Sequence, residues 1–456
     1  MSCSTVDHLR TGPAPSLRFC PTDPLGPCET PAGPRDDDGD AAMSVLDQST
    51  AIPAPADQSP SSADPVADRP TQQTHYVSEL LGVENLLDAS DRAVLDRVRR
   101  YCEERIRPVA DAFWLRGEFP REVFTGLHEL GIVGLGSRGQ HLLAGLVTIE
   151  LARADLSLST AFGVHDGLHV GAISRYGSAD QKERFLPDAQ ALRTLGAFAL
   201  TEPDSGSDIS RSMTTTARRN GDQWVLNGRK HWIGNGTIAD NLVVWAAVEG
   251  EKAVHGFIVP SDAPGYSAVA IDDKISARII QNAEIELTDV RVGEDRRLPG
   301  VMTFRDVNTL LLHSRIWVGW QTVGLQFAAL DTAIARARTR SQFGRPIGSF
   351  QLTQEKLARM IGNASSSLSL MIQLARAQSD GTATIELAAV AKSSLSLRAR
   401  ETAALGREIS GGDGIRVRSG AAKVFADTEA VYTYEGSYDM NCLIVGRHVT
   451  GHSAFE

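Results

Sequence analysis

The stretch Phe198-Ala199-Leu200-Thr201-Glu202-Pro203-Asp204-Ser205-Gly206-Ser207-Asp208 stands where the hydrophobic pattern of the chain changes. Before it, from residue 88 to about residue 195, apolar residues recur at helical spacing. After it, up to about residue 299, they form short runs that are typical of strands. The sequence therefore predicts helices before this stretch and a compact β domain after it.

Dipeptides that favour turns separate the strand-like runs. The runs are 223–226, 241–245 and 256–259, and the dipeptides are Asn220-Gly221, Asn227-Gly228 and Pro264-Gly265. Helical spacing returns after residue 303 in the stretches 314–340, 351–380 and 385–410, and the last of these ends at Gly411-Gly412. In the N-terminal part, Ser90 precedes a helical run and is predicted to cap it.

These patterns divide the chain into four predicted parts. They are a tail over 1–75, an N-terminal helical domain over 76–197, a central β domain over 198–300 and a C-terminal helical bundle over 301–456. The tail holds 12 of the 20 prolines and few aromatic or branched apolar residues. Such a composition cannot bury enough surface to offset chain entropy, so a disordered Pro/Asp-rich tail is predicted.

The overall composition excludes several classes of protein. With 456 residues, 42% hydrophobic and 22% charged, the chain resembles an ordinary globular protein. A net charge of -10 argues against nucleic-acid binding, and no apolar run approaches the roughly 20 residues that span a membrane. The five cysteines lack metal-ligand spacing and fit a reducing compartment. The tail is not a typical targeting signal and Ala454-Phe455-Glu456 is not a peroxisomal address, so we expect a cytoplasmic protein without a metal ion.

A second informative stretch is Tyr432-Thr433-Tyr434-Glu435-Gly436-Ser437-Tyr438-Asp439. Its Glu435 carboxylate lies among aromatic residues in the sequence, a setting that makes it a candidate general base. Taken alone, Glu435 would be interpreted as a structural loop residue.

Further motifs change that interpretation. They are Trp232-Ile233-Gly234-Asn235-Gly236, Arg340-Ser341-Gln342-Phe343-Gly344-Arg345-Pro346-Ile347 with Gln351, and Ile409-Ser410-Gly411-Gly412-Asp413-Gly414-Ile415. Together with the two stretches above, and in this order, they resemble the FAD-dependent acyl-CoA dehydrogenase superfamily. The nearest members by motif are glutaryl-CoA dehydrogenases and short-chain acyl-CoA oxidases.

The resemblance implies a mainly α fold with a central β domain. Its parts are an N-terminal helical domain, a middle β-barrel-like domain and a C-terminal four-helix bundle, usually assembled as a homotetramer. It also implies FAD as cofactor and an acyl-CoA as substrate. Glu435 would remove the α proton, flavin N5 would accept the β hydride, and the Glu435 N–H with a flavin hydroxyl would hold the thioester oxyanion.

No Gly-x-Gly-x-x-Gly fingerprint stands where a Rossmann domain needs it, so loops must bind the flavin. The resemblance assigns flavin contacts to Phe198, Leu200, Thr201, Ser207, Trp232 and Gly234. It assigns contacts with a neighbouring subunit's flavin to Arg340, Gln351, Gly411 and Gly412, and later contacts to Ser437 and Phe455. Ser437 is alternatively the N-cap of a helix starting near Tyr438. Substrate contacts are expected at Ser207, Arg315 and Gly436.

One position departs from the glutaryl-CoA dehydrogenases. Those enzymes carry an arginine, which grips the distal carboxylate, after the segment that corresponds here to Glu150-Leu151-Ala152-Arg153-Ala154-Asp155. Ser159 stands in its place. An unpaired carboxylate in an apolar pocket would cost several kcal/mol as an order of magnitude, so we predict a neutral short- or medium-chain acyl group, oxidised to the trans-2-enoyl thioester.

Several alternatives stay open at this point. Gly234 stands where many dehydrogenases have a threonine whose hydroxyl can bond flavin N5, which raises the possibility of an oxidase that passes electrons to oxygen instead of to an electron-transferring flavoprotein. A glutaryl-CoA dehydrogenase-like activity, a carrier-bound acyl substrate and a non-catalytic protein that binds flavin or acyl thioesters are the others.

Overall fold

The computed structural model describes residues 76–454. The predicted tail and Phe455 lie outside the described residues. Along the described chain, helices come first, a seven-stranded sheet follows, and long helices complete the fold. This is the order that the sequence predicts.

The N-terminal part is helical throughout. Its helices are α1 (Tyr76–Leu80), α2 (Ala89–Tyr101), α3 (Arg107–Arg116), α4 (Arg121–Thr125), α5 (His141–Ala154), α6 (Leu156–Gly163), α7 (Gly171–Tyr176) and α8 (Ala179–Gln190). The prediction that Ser90 caps α2 was wrong. Asp88 is the N-cap, and its carboxylate accepts the Asp91 N–H at 2.8 Å. Ser90 already lies inside the helix, where its hydroxyl donates to the same Asp88 carboxylate.

The sheet follows directly on α8. It contains β1 (Gly196–Ala199), β2 (Thr216–Asn220), β3 (Gln223–Ile233), β4 (Asn241–Val248), β5 (Val254–Pro260), β6 (Tyr266–Ala270) and β7 (Ala283–Gly293), with the short helix α9 (Ile209–Ser212) between β1 and β2. The strand order is β1-β4-β2-β3-β7-β6, with β5 also paired to β4. β1 and β2 run parallel to β4, and the other pairs are antiparallel.

Two of the three predicted turns are confirmed and one is wrong. Gly221 (φ 66°) and Gly265 (φ 88°) lie between strands in left-handed conformations. Asn227-Gly228, however, lies inside β3, where the register with β7 shifts between Leu226 and Gly228. This is a β-bulge, at which glycine is favoured because a side chain would collide: a Cβ on Gly228 would lie 2.6 Å from Thr215 Cα.

The C-terminal part consists of α10 (Phe304–Thr339), α11 (Gln351–Ser379), α12 (Ile385–Ser410), α13 (Ala421–Thr433) and α14 (Tyr438–Thr450). A small hairpin, β8 (Ser341–Gln342) and β9 (Arg345–Pro346), joins α10 to α11. The three predicted helical stretches are confirmed, and Gly411 (φ 60°) ends α12 as predicted. α10 begins earlier than its pattern indicates, because Thr303 and Asp306 form a capping box there.

α10 is the central helix of this part and packs against α5 of the N-terminal part. The two helices approach so closely that a Cβ on Gly145 would lie 2.1 Å from the Trp320 indole. Glycine at this position therefore permits the contact that fixes α10 relative to the N-terminal helices. Within residues 76–454 no helix is both long and apolar enough to cross a membrane.

A buried histidine follows α6, in the π-helical turn Val164–Val170. His165 is 0% exposed, its Nδ1 accepts the Gly196 N–H at 2.9 Å, and its Nε2 lies 2.9 Å from the Ala189 carbonyl oxygen. The neutral ring therefore joins β1 to the end of α8. Burial lowers the pKa of His165 to about 4.

This histidine is expected to make folding sensitive to acid. Between pH 6.5 and about 4 the unfolded chain binds the proton and the native ring does not, so stability falls as the pH drops through that window. His165→Gln keeps one donor and one acceptor but cannot titrate. Between pH 7 and pH 5 the variant should lose about 1–2 kcal/mol less unfolding free energy than the wild type, as measured by urea denaturation. Equal losses would contradict this prediction.

Candidate active site

The Glu435 stretch forms the loop between α13 and α14. Glu435 (φ 55°) and Gly436 (φ 82°) both adopt left-handed backbone conformations. Such a conformation costs a residue with a side chain about 1–2 kcal/mol and persists only where the surroundings fix it. Ser437 is the N-cap of α14, as predicted, and its hydroxyl accepts the Met440 N–H at 3.3 Å.

α10 approaches this loop through two consecutive side chains. The Ser314 hydroxyl donates a hydrogen bond to the Glu435 carboxylate. Arg315 lies beside Gly436, on which a Cβ would be 3.5 Å from Arg315 Nη2. Burial lowers the pKa of Arg315, while the nearby Glu435 carboxylate acts in the opposite direction. The structure thus brings the predicted base and two predicted substrate-binding residues, Arg315 and Gly436, together.

Arg315 has one donor that is not used. Its Nη1 donates to the Leu311 carbonyl at 3.0 Å, but its buried Nε has no hydrogen-bond partner among the described residues. A buried donor without a partner costs about 1–3 kcal/mol, which a ligand oxygen would recover.

A buried polar network holds Tyr434, the residue before the predicted base. The Tyr434 hydroxyl donates to Gln321 Oε1 at 2.5 Å, and Gln321 Nε2 donates to Ser159 Oγ at 3.0 Å and to Thr160 Oγ1 at 3.2 Å. Ser159 is 0% exposed. Ser159 is therefore engaged in supporting the loop.

The predicted flavin-binding stretch begins at β1. Phe198 and Leu200 are buried in the core, where the Phe198 and Trp245 rings are 5.5 Å apart, so only their backbone groups could reach a ligand. Thr201 is half-buried and Ser207 is exposed.

Glu202 fixes this stretch through buried hydrogen bonds. Its carboxylate accepts the Thr214 and Thr215 N–H groups at 2.6 and 2.9 Å and pairs with Lys230 Nζ at 2.9 Å. Lys230 is fully buried and also donates to the Leu200 carbonyl at 2.9 Å. Burial raises the pKa of Glu202, but Lys230 and the threonine hydrogen bonds outweigh burial and lower it to about 2.

The Trp232 motif lies next to the same stretch. The His231 N–H donates to the Thr201 carbonyl at 2.9 Å, which joins the two predicted flavin-binding segments. Trp232 has a left-handed backbone (φ 60°) and an indole that is 53% exposed. Gly234 is buried, and a Cβ there would lie 3.0 Å from the Ile280 side chain.

The remaining predicted flavin contacts form a second group on the C-terminal helices. Arg340 follows α10, Gln351 begins α11, and Gly411 and Gly412 follow α12; all four are exposed. An ion pair of 2.8 Å between Arg336 and Asp413 joins the glycine loop to the end of α10. Within residues 76–454, no hydrogen bond links this group to Trp232 or Glu435.

Sequence reasoning missed three residues that hold the loop of the predicted base: Ser314, Gln321 and Lys392 contact the Glu435 loop from other helices. Lys392 gave a usable signal, because it shares the buried stripe of α12 with Ala388, Leu395 and Ala399 at helical spacing. A lysine on such a stripe is uncommon and needs a partner.

Family models match most of the described chain. Those for the N-terminal, middle and C-terminal domains of acyl-CoA dehydrogenase match residues 88–192, 197–290 and 304–450. The human mitochondrial short-chain specific acyl-CoA dehydrogenase is 30% identical over 375 residues, which are 80% of this chain and 90% of that protein.

Two crystal structures of glutaryl-CoA dehydrogenase from Mycobacterium smegmatis are also similar. They are 36% and 32% identical to this chain, the second being a complex with FADH2. Each gives a TM-score of 0.80 and covers 83% of this chain and 99% of its own.

Proposed function

The chain belongs to the acyl-CoA dehydrogenase family, and from this premise we propose that it oxidises a neutral short- or medium-chain acyl-CoA to the trans-2-enoyl thioester. It is an FAD-dependent oxidoreductase. The observation that carries the proposal is the meeting of Glu435, Ser314 and Arg315 at one loop.

The reaction removes an α hydrogen as a proton and a β hydrogen as hydride. Bound FAD supplies the acceptor for the hydride. Glu435 takes the proton, and Ser314 holds the carboxylate that receives it. The Glu435 N–H takes part in no hydrogen bond among the described residues, so it is available to the thioester oxygen as charge develops there. Arg315 Nε is a second unused donor close to the base.

The residues around Trp232 fit a flavin. The half-exposed indole of Trp232, whose backbone is left-handed, offers a flat apolar face beside the Thr201 stretch. An aromatic ring system can stack on such a face. Thr201, Ser207, Trp232 and Gly234 would hold FAD, with Phe198 and Leu200 contributing backbone groups. The Glu202–Lys230 pair keeps the stretch in place.

Ser159 supports the proposal of a neutral acyl group. This residue is buried and bonded to Gln321, so it offers no positive charge to a distal carboxylate. On the resemblance described above, this position sets the chain apart from glutaryl-CoA dehydrogenases, the name that two of its similar structures carry.

Butyryl-CoA should therefore reduce the flavin faster than glutaryl-CoA. We expect a difference of at least about tenfold in the limiting rate or in affinity, because an unpaired carboxylate in an apolar pocket costs more than the 1.4 kcal/mol that a factor of ten requires. The measurement is stopped-flow bleaching of the oxidised flavin without oxygen, with octanoyl-CoA as a second neutral substrate. Faster bleaching by glutaryl-CoA would contradict the proposal.

We further propose that an electron-transferring flavoprotein reoxidises the enzyme and that the protein is a homotetramer. The second group of predicted flavin contacts supports the assembly, since Phe343 in the same segment is 93% exposed and suits contact with another subunit. Hydrogen peroxide formed in step with substrate consumption would instead assign an oxidase.

A further inference from the structure

Lys392 lies beneath the Glu435 loop. Its side chain, which comes from the middle of α12, is 0% exposed. Nζ donates to the Gly436 carbonyl at 2.6 Å and to the Tyr432 carbonyl at 3.1 Å. One ammonium group therefore holds carbonyls on both sides of Glu435.

The loop needs such support. Glu435 and Gly436 are both left-handed, and Tyr432 lies in the last turn of α13, where carbonyl groups lack helical partners. Asn441 Nδ2 adds a second donor to the Gly436 carbonyl at 2.8 Å. The backbone that carries the base is thus fixed by donors from α12 and α14.

The charge of Lys392 is the unusual feature. Burying an ammonium group is costly unless it is paired, and within residues 76–454 its hydrogen-bond partners are neutral carbonyls. Burial lowers the pKa of Lys392 to about 7, while the Glu435 carboxylate acts in the opposite direction and Arg315 adds to the effect of burial.

We propose that Lys392 is a positioning residue for the base: it holds the Tyr432 and Gly436 carbonyls so that the Glu435 carboxylate lies where the α proton is removed. The inference rests on the proposed function, because it requires Glu435 to be the base. Lys392 itself touches neither substrate nor flavin in this role.

The experiment compares Lys392→Met and Lys392→Gln with Leu395→Ala in the holoenzyme. Leu395 is a fully buried residue one turn further along α12, and its truncation costs about 2–5 kcal/mol of stability. Limiting rates of anaerobic flavin reduction by butyryl-CoA are expressed per bound FAD, so that partial unfolding does not enter them. KM and the thermal midpoint are measured alongside.

We expect both Lys392 variants to reduce flavin about 10- to 100-fold more slowly, since a small misplacement can cost a factor of 10², with KM within about threefold of the wild type. Leu395→Ala should lower the thermal midpoint but keep its rate within about threefold. A rate near that of the wild type in either Lys392 variant would overturn the inference, as would an equal loss of rate in Leu395→Ala.

Glu435→Gln is measured in parallel to separate the two proposals. If it bleaches like the wild type, the proposed function fails and the positioning role fails with it. If it does not bleach while the Lys392 variants keep their rate, only the inference about Lys392 fails.

Discussion

Replacing Glu435 with glutamine is expected to slow flavin reduction by butyryl-CoA about 10²- to 10⁴-fold, the range that a positioned general base contributes. Glutamine has nearly the same shape and can still accept from Ser314, so the loop should keep its conformation. The amide cannot take the α proton. Anaerobic stopped-flow spectra of the two holoenzymes give the comparison directly.

Glu429→Gln is the matched control. Glu429 lies on α13 closely before the loop and pairs with Arg400 at 2.9 Å, so its replacement also removes a carboxylate from the same helical region. We expect it to reduce flavin at a rate within about twofold of the wild type, because a partly exposed ion pair such as this one contributes little. If Glu435→Gln behaved like Glu429→Gln, Glu435 would be a structural residue.

Lys230→Met should destabilise the fold by about 3–5 kcal/mol, the loss typical when one partner of a buried ion pair is removed. Glu202 would keep its threonine partners but lose the opposite charge 2.9 Å away. Because Lys230 also holds the Leu200 carbonyl, the Thr201 stretch should loosen and FAD should dissociate more readily. Urea denaturation and the FAD content after gel filtration measure the two effects.

The double variant Lys230→Met/Glu202→Gln tests the cause. With the unpaired carboxylate neutralised, it should be more stable than Lys230→Met alone, which is the non-additivity expected of a contacting pair. A double variant that is the less stable of the two would show that the hydrogen bonds from Thr214 and Thr215 to the Glu202 carboxylate matter more than its unpaired charge.

Most of the fold could be predicted because its signals are local. The long helices α10, α11 and α12 repeat apolar residues over many turns, so their pattern survives any single misplaced residue. The wrong turn prediction falls where a distant partner decides. Asn227-Gly228 has the composition of a turn, but pairing with β7 on both sides keeps β3 continuous through it.

The candidate site was likewise predictable only where its residues form short contiguous motifs. Glu435 and Trp232 belong to short contiguous motifs and could be recognised from the sequence, although their assigned roles stay predictions. Ser314 is 121 positions before its partner Glu435, and Gln321 is 162 positions after Ser159. Nothing in one sequence indicates that such residues meet, because the contact depends on how α6, α10 and the loop pack.

The hydrogen bonds that run from Ser159 through Gln321 to Tyr434 have a consequence for changing the substrate of this enzyme. An arginine introduced at Ser159 to bind a dicarboxylic acyl chain would displace Gln321. The Tyr434 hydroxyl would then lose Gln321 as its hydrogen-bond acceptor. The residue next to the base would then move. Under the proposed function, substrate choice and proton removal would share one set of side chains, and a new preference would have to be introduced by altering Ser159 and Gln321 together.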